Sequence, residues 1–302
     1  MMTQMKGLYV VAQTPFTADG ALDLDSIDTL TDFYVKHGAA GLTVLGVAGE
    51  AAKLSETESV SAVQRFVARA HGKPVIAGVS NPSVAQLATL TQAVTEVGAS
   101  GVMIAPPPGL RTEEDVISYY GAVFDRIGDV PTVLQDFPFS TGVWMSVPTM
   151  TRLIERFPQI QAIKEEDIPS AAKITRLREA MPRHVPILTG NNAVFLPQEL
   201  GRGIEGPMAG FSHPEMLSGV YDLYTQGKRD AAFDLFNIYL PLLNFENQAQ
   251  WGVAVRKEIL RRRGAIASAV MRAPGPRLSP LDLKDIDYLL ERLEQALARR
   301  SH

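Results

Sequence analysis

The chain has 302 residues, of which 46% are apolar and 21% charged, and its formal net charge at pH 7 is -4. This is an ordinary composition for a globular protein of the aqueous phase. The slightly acidic balance provides no field suited to nucleic acid or to an anionic membrane surface, so we expect neither as a partner. The absence of cysteine excludes disulfides, thiolate metal ligands and a cysteine nucleophile.

Other features exclude further classes of protein. The five histidines show no metal-ligand spacing, and no Gly-x-Gly-x-x-Gly or Walker loop follows a strand-like run, so the sequence predicts neither a metal nor another cofactor. No apolar run approaches the roughly 18 residues that a membrane span needs. Residues 1–7 contain no apolar stretch of signal-peptide length, and we therefore expect a cytoplasmic protein.

Short apolar runs alternate with longer segments of helical period along most of the chain. The predicted strands are residues 8–11, 42–45, 75–77, 102–105, 132–134, 160–163, 186–188 and 204–208. Helical patterns between them include residues 25–36, 56–70, 84–97, 112–126 and 171–180. Such alternation implies parallel strands joined by crossover helices. Eight strands in about 210 residues favour a (β/α)8 TIM barrel over an open doubly wound sheet.

Strand signals stop near residue 227. Residues 229–243, 248–263 and 281–300 have helical period, and Ala273-Pro274-Gly275-Pro276 sets the last of these segments apart. The sequence therefore predicts a barrel domain over residues 1–226 and a small C-terminal helical bundle over residues 227–302.

Lys164 is the most informative residue. It ends the apolar run 160–163 and is followed by Glu165, Glu166 and Asp167, whereas lysines normally lie on solvated surfaces. Active residues of (β/α)8 barrels collect at the C-terminal ends of the strands, and a neutral lysine there can attack a carbonyl carbon. Taken alone, Lys164 is also compatible with a solvated lysine at a strand end; its place on the sixth strand favours catalysis.

Residues at the ends of other predicted strands are further candidates for binding: Thr14, Ser80, Asn81, Gln135, Asp136, Gly190, Asn191, Asn192 and Glu205. For Ser80, Asp136 and Asn191, holding substrate hydroxyls and a structural role at the rim both remain open. Strand alternation places Glu166 on the same side as Lys164 and turns Glu165 outward. Glu166 is therefore our candidate general acid or base, with a simple ion pair as the alternative.

Several landmarks occur in one order: Thr14-Pro15-Phe16, Gly46-x-x-Gly49-Glu50, Pro138 with Thr141-Gly142, Ile163-Lys164-Glu165 and Thr189-Gly190-Asn191. In this order and spacing the chain resembles the dihydrodipicolinate synthase and N-acetylneuraminate lyase family of class I, Schiff-base-forming aldolases. The resemblance covers essentially the whole chain.

The resemblance implies a small-molecule 2-keto acid substrate whose C2 carbonyl condenses with Lys164. A protonated imine is an electron sink that stabilises the carbanion or enamine formed at C3. The resemblance also implies that the loop of Gly46, Val47 and Ala48 presents backbone N–H groups to the substrate carboxylate. It further implies a homo-oligomer, commonly a tetramer.

The departures from the family pattern concern proton transfer and the second substrate. Where dihydrodipicolinate synthases carry two threonines, this chain has Val47 and Ala48; Gln135 stands for the tyrosine of the fifth strand. The tyrosine of the fourth strand is matched by Pro107 or Pro108, and the arginine that would grip the second substrate by Ser140. Dihydrodipicolinate synthase activity is therefore not expected.

Three functions follow from these observations. The Gln135-Asp136 pair and residues 240–247 resemble the branch with 2-keto-3-deoxy-pentonate dehydratases, which favours dehydration of a 2-keto-3-deoxy sugar acid. The same imine would also serve an aldolase that cleaves or forms a C–C bond with pyruvate. The third possibility is a barrel that binds a keto acid without turnover, against which the retention of Lys164 argues.

Overall fold

The computed structural model describes residues 5–300 of the chain. Within these residues, eight parallel strands pair with their neighbours in chain order, and the last pairs with the first to close a barrel. The strands are β1 (Leu8–Val11), β2 (Ala39–Val44), β3 (Val75–Gly78), β4 (Gly101–Ile104), β5 (Thr132–Asp136), β6 (Ile160–Glu165), β7 (Ile187–Thr189) and β8 (Gly206–Ala209). The predicted (β/α)8 barrel is confirmed, and closure rules out the open sheet.

Helices follow the strands and form the outer layer. They are α1 (Leu24–Lys36), α2 (Glu56–Arg69), α3 (Val84–Glu96), α4 (Glu113–Ile127), α5 (Pro138–Thr141), α6 (Val147–Arg156), α7 (Ser170–Ala180), α8 (Leu196–Leu200), α9 (Pro214–Thr225), α10 (Arg229–Glu246), α11 (Ala249–Arg262) and α12 (Pro280–Arg300). Short 3₁₀ segments over Val47–Gly49, Ala51–Lys53 and Asn191–Ala193 lie beyond β2 and β7. None of the helices within residues 5–300 is long and apolar enough to cross a membrane.

Most strand limits differ from the predicted ones by one to three residues, and some helices were not predicted. Strand β2 begins at Ala39, before the predicted residue 42, and includes Gly41. A Cβ at position 41 would overlap the inward ring of Tyr9. Helix α6 was not among the predicted helices. Its start is marked by Ser146, whose side chain accepts a hydrogen bond from the Thr149 N–H group, and by Pro148 in the first turn.

The core has two layers because successive strand residues point to opposite faces. Inward side chains fill the barrel itself: Tyr9, Val11, Ile76, Met103, Val133, Ala162, Leu188 and Met208, with Met5 below them. A larger apolar cluster packs the outer strand faces against the helices. Because side chains occupy the barrel interior, we look for the site at the C-terminal mouth, where the active sites of such barrels lie.

Helix α10 packs against the barrel helices α9 and α8 and also against the C-terminal helix α12. Between α11 and α12, residues 264–279 contain no helix or strand. The division into domains at residue 227 stays a prediction. The expectation about an N-terminal signal concerns residues 1–7, of which residues 1–4 lie outside the described residues.

Candidate active site

Strand β6 carries Lys164 into the mouth of the barrel. Ala162, two residues earlier, belongs to the inner cluster, so alternation turns Lys164 to the same inward face. Its strand neighbours in register are Gln135 on β5 and Leu188 on β7. The lysine side chain is 7% exposed, which places its amine in a nearly enclosed, electrostatically strong environment.

Glu166 lies beside the amine of Lys164, with 3.1 Å between Nζ and Oε1. The ladder continues one residue beyond β6, because the Glu166 N–H group donates to the Asp136 carbonyl at 2.9 Å. Gln135 donates from Nε2 to Oε1 at 2.7 Å, and the Asn191 N–H group donates to Oε2 at 3.0 Å. Two donors, Gln135 Nε2 and the Asn191 N–H group, thus hold this carboxylate beside the lysine, a geometry suited to proton transfer.

Gly190 and Asn191 form the wall of the site on the β7 side. A Cβ at position 190 would overlap the Glu166 carboxyl group, so only glycine permits this close approach. Asn191 has a left-handed backbone (φ 47°), and its side-chain Nδ2 donates to the Glu166 carbonyl at 2.8 Å. Both the side chain and the main chain of Glu166 are therefore fixed from β7.

Gly190→Ala is expected to slow turnover more than it lowers stability. The added methyl group must push the Glu166 carboxylate away from Lys164, and a displacement of about 1 Å in a catalytic group can cost about 100-fold in rate. Steady-state kinetics and thermal unfolding measured on the same preparation would check this. The matched control is Gly121→Ala, since Gly121 on α4 has no left-handed backbone and an added Cβ would make only an ordinary contact of 3.8 Å with the Phe157 ring. Equal rate losses in both variants would contradict the steric explanation.

The loop after β2 holds the other predicted binding residues. Gly46 precedes the 3₁₀ segment Val47–Gly49, whose first N–H groups have no intrahelical carbonyl to bind. The Val47 side chain is 60% exposed, whereas Ala48 packs against the inner cluster. The Thr14 hydroxyl donates to the Gly49 carbonyl at 2.6 Å. The loop therefore offers main-chain donors, not side-chain hydroxyls, to an anion at the mouth.

Asp136 does not join this group. It follows Gln135 directly and so faces outward, where it is fully buried and paired with Lys173 of α7. Lys173 also binds Asp167 at 2.8 Å. Burial raises the pKa of Asp136 to about 6; burial and then the Asp136 charge raise the pKa of Glu165 well above its usual value. This cluster lies on the outer face of β5 and β6, between the strands and α7. Asp136 is therefore not part of the proposed site.

Two further candidates, Ser80 and Glu205, have structural partners of their own. Glu205 precedes β8 and therefore lies at the opposite end of the strand from the mouth, where it pairs with Arg178. The Ser80 hydroxyl accepts a hydrogen bond from the Ala105 N–H group at 2.8 Å, which ties the end of β3 to that of β4. Ser140, on α5, is exposed to solvent. Within residues 5–300, no group of three or more His, Asp or Glu side chains could hold a metal ion.

The sequence did not reveal that C-terminal helices reach the mouth. Asn192 donates from Nδ2 to the Glu246 carbonyl and to Asn247 Oδ1, each at 3.3 Å. Glu246 itself is buried, accepts from Arg256 Nε at 3.0 Å and from the Ser212 N–H group at 3.1 Å. A run of charged residues on α11, 256–258, was the available signal, since buried charges must be paired.

A barrel with a buried lysine and an adjoining carboxylate at its C-terminal mouth is the arrangement of an enzyme acting on carbonyl compounds. Residues 4–295 match the model of the dihydrodipicolinate synthetase family. The chain belongs to this family.

Individual relatives carry two different names. The chain is 29% identical to the L-2-keto-3-deoxyarabonate dehydratase of Azospirillum brasilense, over 98% of this chain and 97% of that protein. It is 30% identical to the 4-hydroxy-tetrahydrodipicolinate synthase of Methanosphaerula palustris, over 95% and 97%. A dihydrodipicolinate synthase structure from Rhodopseudomonas palustris superposes with a TM-score of 0.94 at 41% identity, covering 97% of this chain and 99% of that one. These relatives have names that describe different reactions: one is a dehydratase and the other two are synthases.

Proposed function

We propose that this protein is a Schiff-base-forming lyase whose Lys164 condenses with the C2 carbonyl of a 2-keto acid. The observation that carries the proposal is the enclosed Lys164 amine with the Glu166 carboxylate 3.1 Å away. The proton that the ammonium group must lose before attack has an acceptor in Glu166. Lys164, Glu166, Gln135, Gly190 and Asn191 form the proposed catalytic and binding group, with the loop of Gly46, Val47 and Ala48 as the site for the substrate carboxylate.

The reaction that we propose is loss of water from a 2-keto-3-deoxy sugar acid. Formation of the imine at C2 makes a C3 proton acidic, and its removal gives an enamine. The enamine expels the C4 hydroxyl once that oxygen is protonated, so one molecule of water leaves. A single carboxyl group can take the C3 proton and return it to the C4 oxygen. The name of the Azospirillum brasilense relative supports this reaction.

The second candidate is an aldolase that uses the same imine to cleave or form a C–C bond with pyruvate. The retained Gly46-x-x-Gly49-Glu50 loop and the name of the Methanosphaerula palustris relative favour it. Condensation with aspartate semialdehyde is the less favoured form, because Ser140 offers no cation to a second carboxylate. A barrel that binds a keto acid without turnover is the remaining candidate.

Incubation with a panel of 2-keto-3-deoxy sugar acids separates these functions. We expect a dehydrated keto acid as the product, detected as a loss of one water by mass spectrometry. Pyruvate together with an aldehyde would replace the dehydratase with the aldolase. No turnover, combined with saturable binding, would establish the binding protein. Pyruvate with aspartate semialdehyde is the comparison reaction, and turnover near the usual enzyme value of about 10 per second would contradict the expected loss of synthase activity.

The assembly and the cellular location are also proposals: a homo-tetramer, which the family resemblance implies, in the cytoplasm, which the sequence pattern of the N-terminus predicts. Exposed aromatic side chains near the mouth, Phe139 and Trp144, provide apolar surface that contact with a second copy would cover.

A further inference from the structure

Glu50 ends the loop after β2 and is almost completely buried, with 5% exposure. Its backbone is left-handed (φ 55°), a conformation that costs roughly 1 kcal/mol or more outside glycine. Its carboxylate accepts hydrogen bonds from Lys257 at Oε1, and from Lys53 at 2.8 Å and the Arg272 N–H group at 3.1 Å at Oε2. A buried carboxylate with three donors is a fixed anchor.

Two of these donors belong to the C-terminal part of the chain. Lys257 lies on α11 with its side chain fully buried, and also donates to the Val270 carbonyl at 3.0 Å. Its Nζ lies 4.4 Å from the centre of the Phe16 ring, and the Arg272 guanidinium lies 4.6 Å from the same ring. Burial lowers the pKa of Lys257 to about 8, although the Glu50 charge opposes this shift. Glu50 is thus the carboxylate partner of Lys257.

The position of the loop between β2 and Glu50 is set by contacts at its two ends. At its other end Leu45 is also left-handed (φ 55°), and its carbonyl lies where a Cβ of residue 78 would stand, which makes Gly78 necessary. Because Val47 and Ala48 have no hydroxyl groups, only the main-chain N–H groups of this loop can bind an anion. Main-chain donors cannot change rotamer, so the position of the whole loop determines how well they fit a carboxylate.

From this geometry we infer that Glu50 is a positioning residue that ties the carboxylate-binding loop to helix α11 and the segment after it. The inference rests on the proposed function, in which this loop receives the carboxylate of the 2-keto acid. It assigns to residues 257–272, far from Lys164 in the sequence, a part in substrate affinity. Glu50 does not contact the reacting atoms; it acts through the loop.

The test compares Glu50→Gln with wild type in two measurements. In borohydride trapping with pyruvate, the variant should need about tenfold more pyruvate or more for half-maximal adduct, because charge-assisted bonds hold the loop, while the maximal adduct stays the same. In hydrogen exchange without ligand, amides of residues 46–54 should exchange faster, while those of strands β5 and β6 keep their protection. Lys257→Met removes the contact between Glu50 and α11 from the lysine side. It should give the same increases in pyruvate requirement and in amide exchange.

Glu58→Gln is the matched control. Glu58 pairs with the guanidinium of the same Arg272 but does not contact residues 46–50, so its loss should leave the pyruvate requirement unchanged. A Glu50→Gln variant with wild-type trapping and wild-type exchange would overturn the inference, as would equal shifts in Glu58→Gln. If wild type itself forms no adduct, the proposed function fails, and the exchange of residues 46–54 alone then decides whether Glu50 holds the loop.

Discussion

Lys164→Ala is expected to abolish turnover and to leave the fold intact. The amine is the group that forms the imine in the proposed reaction, and without it no electron sink exists for the C3 carbanion. Enzymes accelerate their reactions by at least about a million-fold, so loss of the covalent step should bring activity below detection. Assays with the best substrate, together with thermal unfolding of the variant, check both parts of the expectation.

The chemistry can be located directly by trapping. Wild type treated with a 2-keto acid and borohydride should carry one adduct, on the peptide that contains Lys164. Lys257 is the natural competitor, because its pKa is lowered to about 8, but its side chain is enclosed by Glu50 and the Val270 carbonyl. Lys164→Arg keeps a cation beside Glu166 and cannot form the imine. An adduct on Lys257, or activity in Lys164→Arg, would show that Lys164 is not the nucleophile.

Local patterns were sufficient to predict the barrel. Alternating strand and helix periods fixed the number and order of the strands, and closure followed from the size of the unit. The same locality explains the errors at element limits. Gly41 falls outside the predicted strand 42–45, because nothing near it in sequence reveals that Tyr9 of the neighbouring strand needs the space of its missing side chain.

Alternation along a strand also predicted part of the site. It placed Glu166 beside Lys164, and the structure brings the two together. The same rule argues against Asp136, since a residue that follows an inward Gln135 must face outward. The interpretation of Asp136 as a binding residue rested on its position at a strand end alone, which does not define the face of the sheet.

Contacts between distant segments could not be derived from the sequence. Glu50 and Lys257 are separated by 207 positions, and no periodic pattern links one to the other. Asn192 meets Glu246 in the same way, across 54 positions. Buried charges on α11 indicate that partners exist, but only the packing of the helix against the barrel identifies them.

Glu166→Gln is expected to slow turnover by about 100- to 10,000-fold, the usual contribution of a positioned proton-transfer group. Glutamine keeps the size of the side chain and one acceptor for Gln135 or the Asn191 N–H group, so the walls of the site should stay in place. Its amide cannot take a proton from C3 or deliver one to the C4 oxygen. Imine trapping with pyruvate requires neither of these transfers, and in a long incubation Lys164 can lose its proton to water in place of Glu166. The adduct should therefore form more slowly but reach the wild-type amount, while steady-state turnover falls.

Glu165→Gln provides the matched control for this prediction. Glu165 is the adjacent carboxyl group on the same strand, but it faces outward into the cluster with Asp136 and Lys173. Burial and then the Asp136 charge raise its pKa well above the usual value, a shift that favours the neutral carboxyl form, which glutamine imitates. Its turnover should stay within a few-fold of wild type. Of these two carboxyl groups, only Glu166 shares the inward face with Lys164. If Glu166→Gln keeps full activity, or if Glu165→Gln loses as much, the assignment of proton transfer to Glu166 is wrong.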